Sequence, residues 1–177
     1  MHEKKLKQAL LRDLNPREGI ALEEFSILHN AARVDVAIVS KTIHGYELKS
    51  DHDTLVRLSH QIVTYRSCLD RLTVVVAERH LKNLRRIPDW VGVSVAIVQD
   101  GDIELEQVRV PVLNTEKDPI CVARLLWKEE AIAILEELGC DYGVRTKPRE
   151  YAYERLAETM DAQTLTEVVC YAVRSRY

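Results

Sequence analysis

Asp35, Glu47 and Lys49 are the side-chain types that metal-assisted hydrolysis uses, and their spacing can bring them together. Residues 33–39 (RVDVAIV) and 43–49 (IHGYELK) are runs rich in β-branched and aromatic residues. Ser40-Lys41-Thr42 separates them, the pattern of a hairpin with a short loop. A turn centred on Lys41 sets Ser40 against Thr42 and, counting back, Asp35 against Glu47. Directly opposed residues hold their Cβ atoms about 4.5–5.5 Å apart. Alternation then puts Lys49 on the face of the two carboxylates and Val34, Val36, Ile38, Tyr46 and Leu48 on the other, and a one-residue slip would exchange the faces. Two opposed carboxylates either raise one pKa or call for a cation between them. Mg²⁺ takes such hard oxygen ligands at about 2.0–2.1 Å and completes its octahedron with water and phosphate oxygens. It lowers the pKa of a bound water and stabilises charge on a phosphoryl oxygen, and a lysine such as Lys49 can orient the water or offset that charge. The chemistry is phosphodiester hydrolysis. A Glu-x-Lys triplet alone is common in chains of this length, so other elements must supply the rest of the site.

The flanking elements can do so. Residues 3–14 alternate Lys4, Lys5 and Lys7 with Leu6, Leu10, Leu11 and Leu14, an amphipathic helix that should end before Asn15-Pro16 and Gly19. Residues 20–27 read as a strand carrying Glu23 and Glu24, and alternation does not choose between these two glutamates. After the hairpin, Ser50-Asp51-His52-Asp53 offers N-caps for a helix running to about Leu69. Its apolar stripe is Leu55, Leu58, Ile62 and Leu69, beside a second stripe of Thr54, Arg57, Gln61 and Tyr65. Bordering the same site, Gln61 could hold the attacking water or a phosphate, Tyr65 could pack on a base or sugar, and Arg57 could contact the nucleic-acid backbone. The alternative is an ordinary boundary row on a half-exposed helix. Residues 72–77 form a continuous apolar run, a strand buried on both faces, reached by a right-handed crossover into a mixed sheet.

Residues 78–87 predict a basic helix with Lys82, Arg85 and Arg86, and residues 90–98 and 103–110 a closing hairpin turned at Asp100-Gly101. PVLNTEKDP, residues 111–119, reads as a linker, followed by helices over 120–138, 148–160 and 162–174. The expected organisation is an α/β core over 1–110, a linker over 111–119 and a helical C-terminal subdomain over 120–177.

The 177 residues suffice for one core of ordinary size, and 46% hydrophobic residues with six glycines and five prolines describe a folded chain. No apolar run approaches the roughly 20 residues that span a bilayer, and the charged start leads into no signal-peptide core, so a cytoplasmic protein without membrane partners is expected. Cys68, Cys121, Cys140 and Cys170 lack Cys-x-x-Cys spacing and mostly sit among apolar neighbours, as buried thiols do. A net charge of −3 argues against non-specific coating of nucleic acid but leaves room for local contacts.

Asp35, Glu47-Leu48-Lys49 and Gln61-Ile62-Val63-Thr64-Tyr65, in that order, resemble the PD-(D/E)XK phosphodiesterase superfamily, the restriction-endonuclease-like fold, and its RecB-type branch with Gln-x-x-x-Tyr. The string from Gly45 through Tyr65, and the ending from Leu125-Leu126-Trp127 through Lys147-Pro148-Arg149 to Arg155-Leu156, is similar to a family of small, little-characterised bacterial proteins placed there. The resemblance implies an α-β-β-β-α-β core around a mixed sheet. It implies Asp35 and Glu47 as Mg²⁺ or Mn²⁺ ligands, the Leu48 carbonyl as a third, an acid from the first segment that Glu24 matches better than Glu23, and catalytic roles for Asp35, Glu47, Lys49 and Gln61. Val34 stands where the motif has its proline. The implied activity is hydrolysis of DNA, in repair or in defence against foreign DNA, with a homodimer as one way to cut both strands. The alternative is a catalytically silent module on the same fold that binds nucleic acid or protein.

Overall fold

A computed structural model describes residues 1–14, 19–29 and 31–177, and for Arg85 and Arg86 only the backbone. The expected helix stop at Asn15-Pro16 therefore lies outside the described residues. The chain runs α1 (Glu3–Asp13), β1 (Ile20–Ile27), β2 (Ala32–Val39), β3 (Ile43–Lys49), α2 (Leu58–Arg66), β4 (Arg71–Ala77), a 3₁₀ helix (Glu78–Arg86), β5 (Gly92–Gln99), β6 (Asp102–Arg109), then α3 (Pro119–Ala123), α4 (Lys128–Glu137), α5 (Arg149–Thr159) and α6 (Ala162–Arg174). The α-β-β-β-α-β order leads into one mixed six-stranded sheet whose spatial order is β1-β2-β3-β4-β5-β6. β3 pairs with β4, and β4 with β5, in parallel, and the other neighbours are antiparallel.

The β2–β3 hairpin has the register its hydrophobic pattern specifies. Val39 faces Ile43, Ile38 faces His44, Ala37 faces Gly45 and Val36 faces Tyr46, around a turn closed by Ser40 N–H donating to the Thr42 carbonyl at 2.9 Å. Asp100 and Gly101, at φ 51° and 88°, turn β5 into β6, as a left-handed two-residue hairpin loop requires. β4 is buried on both faces from Leu72 to Ala77, the cause of its unbroken apolar run.

Each face of the sheet has its own cover. Leu6 and Leu10 of α1 pack on Val36, Leu48, Val75 and Ala96. The opposite face meets α2 and the C-terminal helices in one continuous core that runs from Val34 and Leu69 to Leu156 and Val173. Residues 111–119 are a docked strap rather than a free connection. Asn114 is buried and donates to the Arg66 and Leu69 carbonyls at 2.7 and 2.8 Å. Lys117 joins the buried Asp70 to Thr166 of α6.

Four further expectations change. Residues 51–57 form turns and not the first turns of α2, because Asp53 accepts from both Ser50 N and Oγ and spends itself on a tight loop. Residues 78–86 are 3₁₀, with Arg79 donating to the Asp53 carbonyl and His80 Nε2 lying 2.9 Å from the Ser50 carbonyl, so this helix braces the loop after β3. The helix expected over 120–138 breaks at Arg124–Trp127, where the freed Leu125 and Leu126 carbonyls accept from Arg176 and Tyr153. Val34 leaves the face of Val36: a Cβ on Gly45 would lie 3.3 Å from Val34 Cγ2 and 2.5 Å from Leu69 Cδ1, so Val34 joins the α2 side. The burial phase of β1 shifts at the same level, from Leu22 to Phe25 across Glu24, whose φ is 51°. Cys68, Cys121 and Cys170 are buried free thiols, and burial pushes Cys68 and Cys170 up to about 12.

Candidate functional site

Because Val34 and Val36 point to opposite faces, Asp35 sits where β2 changes phase, and the paired β2–β3 register ends next to it at Val36 and Tyr46. Its carboxylate accepts from Leu48 N–H at 2.6 Å, in place of a main-chain partner. Tyr65, wholly buried on α2, fills the space beyond: its hydroxyl lies 2.7 Å from both the Arg33 carbonyl of β2 and Glu47 Oε2 of β3. One proton serves one of those acceptors at a time.

Glu47 is 2% exposed, an unusual place for a carboxylate. Its Oε1 accepts from Lys49 Nζ and from Gln61 Nε2, each at 2.6 Å, and Oε2 meets Tyr65. Lys49 is 9% exposed, so this is a buried ion pair completed by two neutral donors. Gln61 Oε1 is buried without a partner. The strand brings Glu47 and Lys49 to one face, and the i, i+4 spacing of Gln61 and Tyr65 brings both onto Glu47.

The second half of the site is more open. Oxygen atoms of Asp35, Glu24 and Glu3 lie within 4.8 Å of one another, the one such acidic group among the described residues. Glu24 is where β1 carries the register past Asp35, between the pairs Glu23 with Val36 and Phe25 with Val34. Lys7 sits 2.5 Å from Glu24 and 3.7 Å from Glu23, and Arg33 is 3.6 Å from Glu24. Burial lowers the Lys7 pKa, but its hydrogen bond to Glu24 and the charges of Glu24, Asp35 and Glu23 outweigh that and raise it. Asp35 is pushed up to about 7, first by burial, then by the Glu47 carboxylate and more weakly by Glu24, against the pull of Leu48 N–H and Lys49. Three clustered carboxylate oxygens are a donor set of the kind that fits a hard divalent cation such as Mg²⁺ or Mn²⁺.

Asp35, Glu47, Lys49 and Gln61 thus come together with Glu24. Tyr65 is corrected in role: a fully buried ring is not available to a base or sugar, and its hydroxyl holds Glu47 instead. Arg57 is exposed just ahead of α2 and takes no part in these hydrogen bonds. Glu3 was not a sequence candidate. At the start of a lysine-rich helix it reads as an ordinary first-turn acid, and only the docking of α1 under β3 brings it to Asp35.

Among the described residues no helix is long and apolar enough to cross a membrane. A protein of unknown function from Silicibacter pomeroyi has a similar fold, with a TM-score of 0.50 at 18% identity over 82% of this chain and 94% of that one. Protein cII of Enterobacteria phage P4 is 21% identical over 182 residues, spanning 100% of this chain and 68% of the phage protein. Residues 1–177 match the family described as Bacteriophage P4 protein cII, and the chain belongs to that family.

Proposed function

We propose that the chain is a Mg²⁺- or Mn²⁺-dependent phosphodiesterase that cleaves DNA by hydrolysis, in repair or in defence against foreign DNA. The observation that carries this reading is Glu47, a buried carboxylate held by Lys49, Gln61 and Tyr65 beside a second carboxylate, Asp35, that burial and Glu47 push up to about 7. Burying an ion pair costs several kcal/mol per ion before attraction repays it, so a strand needing only stability is better served by apolar residues here. Asp35, Glu47-Leu48-Lys49 and Gln61-x-x-x-Tyr65 also resemble the motif residues of restriction-endonuclease-like phosphodiesterases.

Asp35, Glu24 and Glu3, with Glu47 and the Leu48 carbonyl at the inner edge, would hold the cation. When bound, the ion supplies Lewis acidity and lowers the pKa of a water. Lys49, its ammonium fixed on Glu47, orients the attacking water and offsets charge on the phosphoryl oxygens. Gln61 and Tyr65 act through Glu47 as positioning residues, and Arg57 takes the nucleic-acid backbone. Purified protein with Mg²⁺ or Mn²⁺ is expected to cut at least one of single-stranded, duplex, flapped or branched DNA. Lys49→Ala should lose the cutting and keep its circular dichroism spectrum. Wild type and variant equally inert on all these substrates would sink the proposal.

One observation favours a second reading. Both Glu47 oxygens are already engaged, as in a module that keeps the fold and binds nucleic acid or protein without cutting. Calorimetry with Mn²⁺ separates the two: binding that disappears in Asp35→Asn supports the enzyme, and no binding to wild type supports the module.

A further inference from the structure

Trp127 and Tyr171, 61% and 68% exposed, flank a cleft of about 710 Å³ between α4 and α6. Ile134 of α4, Leu138 at its C-terminal cap, Met160 and Val168 give it an apolar lining. The cleft is built wholly from residues after the strap and shares none with the Glu47 site. Exposed aromatics gathered in one concave apolar surface are the residues from which protein interfaces draw most of their binding energy.

Two features choose the occupant. The first is charge. Glu130, Glu137 and Glu167 border the cleft against one cation, Arg176, which is spent in an ion pair with Glu130 and lies 4.4 Å over the Trp127 ring. The charge left over is negative. The second is backbone. The walls are helices whose main-chain groups bond within themselves, so there is no strand edge to receive an extended peptide. A third helix laid along the ridges of α4 and α6 buries its apolar face there.

We propose that this cleft docks a basic amphipathic helix of a partner protein, apolar residues inward and lysines or arginines against Glu137 and Glu167. The 13 residues of α6 give a bed about 20 Å long, three to four turns of ligand.

The test uses a synthetic leucine/lysine peptide of about 14 residues, apolar on one helical face, with a leucine/glutamate peptide of equal length as control. The full chain carries Trp90→Phe so that Trp127 alone reports. The leucine/lysine peptide should bind one per chain by calorimetry and shift Trp127 emission to the blue, and the leucine/glutamate peptide should not bind. Glu137→Lys with Glu167→Lys, both surface changes, should weaken binding roughly tenfold or more, and Trp127→Ala should reduce it further. The charge variants keep the test decisive if Trp127→Ala does not fold. Equal binding of both peptides, or undiminished binding by the charge variants, would overturn the proposal. So would light scattering that shows a dimer broken by Val168→Glu, which would mean that a second copy fills the cleft.

Discussion

Glu47 and Asp35 lie on the neighbouring strands β3 and β2, just past their last paired residues Tyr46 and Val36, and the fold treats them in opposite ways. Glu47 is almost sealed from solvent and receives Lys49, Gln61 and Tyr65, so its charge is part of the protein's own hydrogen-bond network. Asp35 is more open, takes the Leu48 N–H, and is driven up to about 7 by burial and by Glu47 itself. The inner carboxylate is fixed by its neighbours, and the outer one is unsettled by them. That asymmetry is what a site needs if one acid is to hold its shape while the other meets a ligand.

The hardest blow to the comparison is Glu47→Ala. It leaves the Lys49 ammonium buried without its counter-charge and is expected to cost about 3–5 kcal/mol in urea unfolding. A loss below about 1 kcal/mol would mean that Lys49 finds another partner and that Glu47 is no anchor.

Asp35→Asn should act in the opposite direction, stabilising the metal-free protein at neutral pH. With a folded pKa of about 7 against 3.8, protonated Asp35 contributes stability that is complete below pH 3.8 and is lost as pH rises through about 7. The difference between wild type and Asp35→Asn should therefore open across that window with a slope of at most roughly 1.4 kcal/mol per pH unit. Thermal melts at stepped pH read it out, and parallel curves would show that Asp35 is not strained.

Tyr65→Phe removes the hydroxyl between Arg33 and Glu47 and should cost about 1–3 kcal/mol, and under the proposed activity it should lower cutting more than affinity for DNA. The smallest stability effect belongs to Glu24→Gln. Its ion pairs with Lys7 and Arg33 are exposed, so unfolding should move by less than about 1 kcal/mol, while under the proposed metal site Mn²⁺ affinity should fall. Unchanged Mn²⁺ affinity would remove Glu24 from the ligand set.

What the sequence discloses divides along the same line. The inner half is legible because local rules specify it. Alternation fixes the hairpin register as far as Val36 and Tyr46, one pair short of Asp35 and Glu47, while two-residue spacing joins Glu47 to Lys49 and four-residue spacing joins Gln61 to Tyr65. The outer half depends on tertiary placement. Glu3 reaches Asp35 only once α1 has docked, and the change of face between Val34 and Val36 follows from the left-handed turn of β1 at Glu24, a residue type that gives no warning of it. The break before α4 is equally hidden, since the groups that satisfy its carbonyls, Tyr153 and Arg176, lie far along the chain. PVLNTEKDP looks like a linker because its polar residues are usually solvated, but here Asn114 and Lys117 turn inward.

The strands lie side by side in the order in which the chain makes them. A ribosome therefore releases each strand next to the one it must join, and the sheet can grow by addition at one edge without threading a late strand between two early ones. Its α2 face gains no such advantage. Leu156, Val169 and Val173 cover that face only after everything else has emerged, so a nascent chain holds a nearly finished sheet with one greasy side bare, and there a chaperone would find its grip.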